Sequence, residues 1–179
     1  NTLTNINIWN CTGIIYGCIH LTSTSQNNTF VGGLINLSTR NLIYIQTNSN
    51  NNLFEDMTLL NSNVTSNDTF LTSTSINNTF INVSYDSSKE SVASGSQLIR
   101  KWYYRAYVND STGAAVANAN VTAYNVSGTV EFSSLMTNAS GWTNLTSITD
   151  YVKNGATRIY YSNYSINASN SGYVTVAHP

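Results

Sequence analysis

Apolar positions in the first half of the chain come in short clusters, and the clusters recur. Leu21-Thr-Ser-Thr-Ser-Gln-Asn-Asn-Thr-Phe30 returns as Leu71-Thr-Ser-Thr-Ser-Ile-Asn-Asn-Thr-Phe80, changed only where Ile76 replaces Gln26. Halfway between them Asn51-Asn52-Leu53-Phe54 repeats the ending, so Phe30, Phe54 and Phe80 stand 24 and 26 residues apart. Aligned on that period, units fall at Asn7-Ile-Trp-Asn-Cys11, Thr29-Phe-Val-Gly-Gly33, Leu53-Phe-Glu-Asp-Met57 and Thr79-Phe-Ile-Asn-Val83, with Ile8, Phe30, Phe54 and Phe80 as anchors. Short apolar strands are predicted at Cys18–Leu21, Leu42–Ile45 and Thr69–Leu71. The runs Asn48–Asn52 and Asn61–Asn63 read as turns, because Asn tolerates left-handed backbone angles and bonds its own backbone.

A repeat of this length without helical periodicity implies a solenoid, and the absence of a Leu-x-x-Leu-x-Leu frame excludes leucine-rich repeats. The expectation for residues 1–97 is a short right-handed parallel β-helix, one rung per unit. Ile8, Phe30, Phe54 and Phe80 would form an internal core ladder, and Asn28, Asn52 and Asn78 an amide ladder at a turn. The first rung, Asn1 to Trp9, has no evident cap, so another segment or another copy is expected to cover it.

After the small polar stretch Asp86–Gln97 the texture changes to alternating strands between Gly-marked turns. Strands are predicted over Leu98–Val108, with the Trp102 face inward, and then over 116–125, 129–136, 142–148, 156–161, 164–168 and 173–176. Asn154-Gly155 is the strongest hairpin signal. Seven strands suit a small antiparallel sandwich over 98–179, which makes the expected fold class all-β: a short parallel β-helix followed by an Ig-like sandwich.

Two resemblances sharpen this. Asn77-Asn-Thr-Phe-Ile-Asn-Val-Ser84 resembles the parallel β-helix repeats of large secreted or cell-surface proteins, many of them archaeal. Val108–Thr122, Thr137–Thr143 and Tyr164–Tyr173 resemble, in that order, the blocks of transthyretin-like or carboxypeptidase regulatory-like Ig-type modules, with Ala115 where a proline is usual. Related modules carry a Lys-to-Asn isopeptide bond beside a buried acid, for which Lys101, Asn167 and Glu131 are the candidates. Some β-helix relatives are polysaccharide lyases or hydrolases, and the resemblance extends that possibility to the flank of this one.

Composition restricts the chemistry. Charged residues are 8% and the net charge is −1, so nucleic acid is not an expected partner. No run of about 20 apolar residues is present, so no direct membrane insertion is expected of this segment, which without an initiator Met reads as mature or excised. Asn-x-Ser/Thr acceptors are dense: Asn10, Asn27, Asn36, Asn63, Asn67, Asn77, Asn82, Asn109, Asn120, Asn125, Asn138, Asn144, Asn163 and Asn167. That is about twice what the Asn, Ser and Thr content gives by chance, and it points to a protein outside the cell carrying N-linked glycans. Asn/Thr-rich repeats producing the motif incidentally is the bland alternative. Cys11 and Cys18 could close a short disulfide loop or stand as two thiols on a strand face.

The acids of the repeat half are Glu55, Asp56, Asp68, Asp86 and Glu90, scattered through turns; only a stacked pair such as Asp56 with Asp86 or Arg40 would make a site. No catalytic constellation, metal site or cofactor is expected, and the chain does not read as an enzyme. The function expected is a structural subunit of a glycosylated extracellular filament or surface layer, with copies of itself as partners. The alternatives are a polysaccharide-binding or polysaccharide-degrading β-helix protein and a fragment of a large adhesin. The aromatic content invites a sugar-binding reading, but Tyr103, Tyr107, Tyr160, Tyr161 and Tyr164 are also what a sandwich core or a protein interface uses, and core or interface is the favoured expectation.

Overall fold

The structure is a computed structural model that describes residues 1–12 and 15–172, and the backbone alone of 176–178. It is all-β. Strands β1 (Thr2–Cys11), β2 (Gly17–Leu21), β3 (Thr29–Ser38), β4 (Asn41–Ile45), β5 (Leu53–Ser62), β6 (Thr69–Leu71), β7 (Asn78–Ile81) and β8 (Glu90–Val92) build about four turns of a parallel β-solenoid. One 3-10 turn, Ser87–Lys89, precedes β8. Then follow β9 (Gln97–Tyr104), β10 (Asn120–Tyr124), β11 (Val130–Met136), β12 (Thr146–Asn154), β13 (Thr157–Tyr160), β14 (Ser165–Ser169) and β15 (Val176–His178).

Each rung gives one strand to a long sheet, ordered β1-β3-β5-β7-β9-β12-β13, and one to a short sheet, ordered β2-β4-β6-β8. Parallel in-register pairing stacks equivalent residues into columns. In the short sheet Ile19/Ile43/Thr69/Glu90 and Leu21/Ile45/Leu71/Val92 point inward. In the long sheet the inward columns are Leu3/Phe30/Phe54/Phe80/Arg100 and Ile8/Ile35/Leu59. The rings of Phe30 and Phe54 lie 4.6 Å apart and nearly parallel, those of Phe54 and Phe80 5.0 Å apart and tilted. Burying each ring contributes roughly 1.5–3 kcal/mol, and stacking adds a further ~1 kcal/mol.

One anchor needs correcting. Ile8 pairs with Ile35, and Leu3 is the residue above Phe30. The first rung spans 27 residues from Leu3 to Phe30, longer than the 24 and 26 of the later rungs, so the 22-residue step back to Ile8 falls in another column.

The bends fall in columns as well. Asn5, Gly32, Asp56 and Asn82 have φ between 52° and 68°, as do Asn10, Leu37 and Asn61, and Asn27, Asn51 and Asn77. Asn and Gly populate this left-handed region at least cost, which is why each rung is punctuated by them. At Gly33, φ +122°, a Cβ would sit 2.0 Å from the Ile6 carbonyl oxygen, so no other residue fits.

The chain divides into two compact units: Asn1–Lys101 with Tyr151–Ile159, and Trp102–Asp150 with Tyr160–Pro179. The second contains an antiparallel sheet, ordered β11-β10-β14-β15, over a small core of Val116, Ala119, Val121 and Ala123. Single bridges add Tyr107 to Trp142, Asn109 to Ala115 and Thr137 to Thr143. Strands starting at Gln97, Thr146 and Thr157 join the long sheet, so they do not form a second sheet of their own. The predicted strand 173–176 falls mostly outside the described residues. The β12/β13 turn is centred on Gly155-Ala156, one residue beyond the predicted Asn154-Gly155; Gly155 alone has positive φ, and Asn154 closes β12 with its side-chain oxygen accepting from Gln97.

Candidate functional site

The solenoid's two ends have different chemistry. At the last rung two of the four inward columns end in ionic residues: Glu90 ends the Ile19 column and Arg100 ends the Phe column. The Glu90 side chain has no exposure. One carboxylate oxygen accepts from the hydroxyls of Tyr85 and Tyr151, which lie 3.0 Å from each other. The other receives Arg158 Nη2 at 2.9 Å and faces Lys153 Nζ at 3.3 Å. Arg100 lies over the Tyr85 ring at 5.0 Å, and Arg158 over the Tyr151 ring at 4.4 Å. Tyr151, Lys153 and Arg158 all come from the β12/β13 hairpin, which is held further by Gln97 to Asn154 at 2.9 Å and Gly155 N to Ser96 O at 3.1 Å. The hairpin closes this end.

Burial is the largest influence on Glu90 and opposes its charge, but hydrogen bonds from Tyr151, Tyr85 and Arg158 and the nearby Lys153 outweigh it. The carboxyl is held below its ordinary value. Burial and the same carboxylate push the Tyr151 phenol up to about 12 and raise Tyr85 further. A fully satisfied buried carboxylate of this kind is a structural device.

Among the described residues the first rung has no such cover. β1 is the edge of the long sheet and β2 the edge of the short one. Leu3 is 42% exposed and Trp9 63%, with Ile15 and Tyr16 also exposed. No Asp, Glu, Lys or Arg occurs before Arg40. The Asn ladder has a direction. Asn28 Nδ2 donates to Asn52 Oδ1 at 3.0 Å, Asn52 Nδ2 to Asn78 Oδ1 at 2.9 Å, and Asn1 Nδ2 to Asn28 Oδ1 at 3.0 Å. Asn1, Asn28 and Asn52 each give to the next ladder amide, while Asn52 and Asn78 also give back to the Ser25 and Ser49 carbonyls, so a rung added above Asn1 would meet the Asn1 side-chain oxygen as an acceptor.

A second column, unexpected from the repeat, runs down the outside of the short sheet. His20 and Tyr44 stack at 5.2 Å, Tyr44 and Phe70 at 5.1 Å, and Tyr16 covers the His20 end at 4.6 Å. Gln46 ties it together, receiving Tyr44 OH at 2.9 Å and meeting His20 Nε2 at 2.9 Å. Burial lowers the His20 pKa. The ring normals follow the column, so the rings present edges to solvent, a poor surface for stacking a sugar. The register rule that each residue lies on its equivalent one rung away would have found this column.

Cys11 and Cys18 are free thiols. Burial first, then a hydrogen bond with Cys11, pushes the Cys18 thiol up to about 12. The acids are not brought together. Asp56 accepts from Asn82 at 2.7 Å, Asp68 from the Asp86 backbone at 2.8 Å, and Asp86 caps the 3-10 turn through Ser88. Among the described residues no three of His, Cys, Asp and Glu are grouped to hold a metal. Glu131 accepts from Thr149 N and Oγ1 at 3.2 and 2.8 Å. In the second unit Tyr107 and Trp142 are exposed with ring centres 4.9 Å apart, Arg105 lies over Trp142 at 4.8 Å, and an apolar cleft of about 550 Å³ is lined by Tyr104, Val108, Val121 and Ile166.

The fourteen acceptor asparagines fall into distinct settings. Asn10, Asn27, Asn63, Asn77, Asn82, Asn109, Asn138, Asn144 and Asn163 are exposed; Asn36, Asn67, Asn120 and Asn167 are half-buried; Asn125 is 6% exposed. Compared with known proteins, the chain matches no family model, no curated protein and no solved structure.

Proposed function

We propose that this chain is a structural subunit of a glycosylated extracellular assembly, a filament or surface layer, whose copies join through exposed β-edges. The observation that carries the reading is the contrast between the solenoid's ends: one closed by a hairpin over a buried carboxylate, the other an uncharged edge with Leu3 and Trp9 in solvent. Sheet edges that stay solitary carry Lys or Pro or are covered, and β1 has neither residue. A strand from a second copy lying along β1 satisfies its backbone and covers those side chains by β-augmentation. If that strand is not itself β1, the contact is heterologous and propagates into a fibre. Residues 98–179 are read as an Ig-like module, and the resemblances favour the kind of surface protein seen in archaea.

Light scattering across a concentration series, with electron microscopy of the same samples, tests the proposal. Species that grow with concentration support it. A monomer at every concentration contradicts it and points instead to cover from residues ahead of Asn1 in a longer chain. One observation favours a second reading, polysaccharide binding: the exposed Tyr107 and Trp142 pair beside Arg105. Glycan-array binding that is lost in Trp142→Ala distinguishes it.

A further inference from the structure

The acceptor asparagines of the solenoid obey a spacing rule that the sequence motif alone does not contain. Asn27, Asn51 and Asn77 occupy one corner column, with φ of 56°, 58° and 56°, and all three are exposed. Two residues later the column reads Thr29, Leu53, Thr79, which pair rung to rung. The acceptor motif is therefore complete on the second and fourth rungs and broken on the third. The other columns hold a single acceptor each. Asn10 shares its corner with Leu37 and Asn61, Asn82 with Asn5, Gly32 and Asp56, and Asn36 stands between Trp9 and Leu60, none of which begins a motif. Of the seven solenoid acceptors, no two are neighbours in a column.

Adjacent rungs are only about 4.8 Å apart, and a glycan is bulky. Two sugars on consecutive rungs of one corner compete for the same volume; two sugars one rung further apart do not. The free corner geometry supports attachment at both ends of the Asn27/Asn77 column. Among the described residues neither side-chain nitrogen has a hydrogen-bond partner, whereas Asn82 Nδ2 is held by Asp56 at 2.7 Å and Asn109 Nδ2 by the Asp110 carbonyl at 3.1 Å. Asn125 is the opposite case. It is buried, and its Oδ1 accepts Ser127 N, Ser127 Oγ and Thr129 N at 3.0, 2.8 and 3.0 Å, holding the turn before β11.

We infer that Asn27 and Asn77 are N-glycosylation sites spaced by the rungs, that the Thr/Leu/Thr alternation keeps Asn51 bare between them, and that Asn125 is a turn residue that carries no sugar. In the reaction Nδ2 bonds to C1 of the sugar of a lipid-phosphate-linked oligosaccharide. The sugar–phosphate bond breaks, the lipid phosphate leaves with the electron pair, and the amide proton passes to the transferase's base. This rests on the glycosylated extracellular reading. It also leaves the outer face of β2, β4 and β6, with its His20/Tyr44/Phe70 column, without any acceptor in those strands.

The test is glycopeptide mapping of the protein from its native source, set beside intact mass. Sugar on Asn27 and Asn77, with Asn51 and Asn125 bare, is expected. Sugar on other asparagines while Asn27 and Asn77 are bare, or sugar on Asn125, overturns the inference alone; an intact mass equal to the bare polypeptide overturns the glycoprotein reading as well. Leu53→Thr then completes the motif at Asn51. The spacing rule predicts that Asn51 stays bare or gains sugar only as Asn27 or Asn77 loses it, while full occupancy of all three on a folded chain contradicts the rule. Thr79→Ala, which removes one motif outside the core, must lower the mass by one glycan.

Discussion

The first and last rungs of the solenoid are built on the same register and end in opposite ways. At the last rung the Ile and Phe columns finish in Glu90 and Arg100, and a hairpin brings Lys153 and Arg158 to neutralise Glu90 and the Tyr151 ring to lie against Arg100. At the first rung the same columns begin with Ile19 and Leu3, with no charged side chain and, among the described residues, no covering strand. A stack of rungs has no intrinsic end, since each rung leaves a row of backbone donors and acceptors for the next. Termination must be encoded separately. The last rung carries such a stop, where buried charge makes further stacking costly.

The difference can be measured down a single column. Phe54 is fully buried between Phe30 and Phe80, and Phe54→Ala should cost about 3–5 kcal/mol in denaturant unfolding. Leu3, in the same column but 42% exposed, should cost under about 1 kcal/mol in an unassembled chain. Equal losses would mean that the first rung is already covered.

At the closed end Glu90→Gln leaves Arg158 and Lys153 without their carboxylate. The expected loss is about 3 kcal/mol, the low end for a broken buried pair because Arg158 keeps partial exposure. The pH profile should show the same group. A depressed folded pKa contributes stability that is complete above the ordinary carboxyl value of 4.5 and disappears as pH falls through the lower folded value. The raised phenols of Tyr85 and Tyr151 act in the other direction. Their contribution is complete below 10.0 and declines as pH rises from there past about 12. Thermal melts of wild type and Glu90→Gln should therefore converge in acid; parallel curves at all pH values would remove Glu90 from the account.

The amide ladder gives the smallest step. Asn52 is buried and accepts from both nitrogens of Asn28, so Asn52→Ala should cost about 1–3 kcal/mol, and Asn1→Ala, at the exposed top, only a few tenths. Comparable effects would contradict the view that the ladder is solvated at its first member.

The solenoid was readable because its period is printed in the sequence by Phe30, Phe54, Phe80 and the Asn pairs before them. Register was not. Leu3 has no aromatic ring to mark it, so Ile8 took its place by counting. The corners at Ser23-Thr24, Thr47-Asn48 and Ser73-Thr74 have positive φ although Ser and Thr carry no left-handed preference; stacking on neighbouring rungs decides them. The hairpin at 154–156 announced itself by Asn-Gly, but a turn signal says nothing about which sheet its strands join. Pairing of Gln97 with Asn154, and the ion pairs to Glu90, are contacts across more than 50 residues that local pattern cannot encode. The aromatic column was legible in principle, since His20, Tyr44 and Phe70 recur at the rung period, yet their alternation with buried Ile and Leu drew attention only to the inward face.

The central claim is that β1 is an assembly edge, and Leu3→Lys tests it most directly, because it places a charge on an exposed side chain of that edge. Light scattering of the wild type and Leu3→Lys, at matched concentrations and with matched unfolding curves, should give growing assemblies for the first and a monomer for the second. Identical size distributions for the two proteins would contradict it.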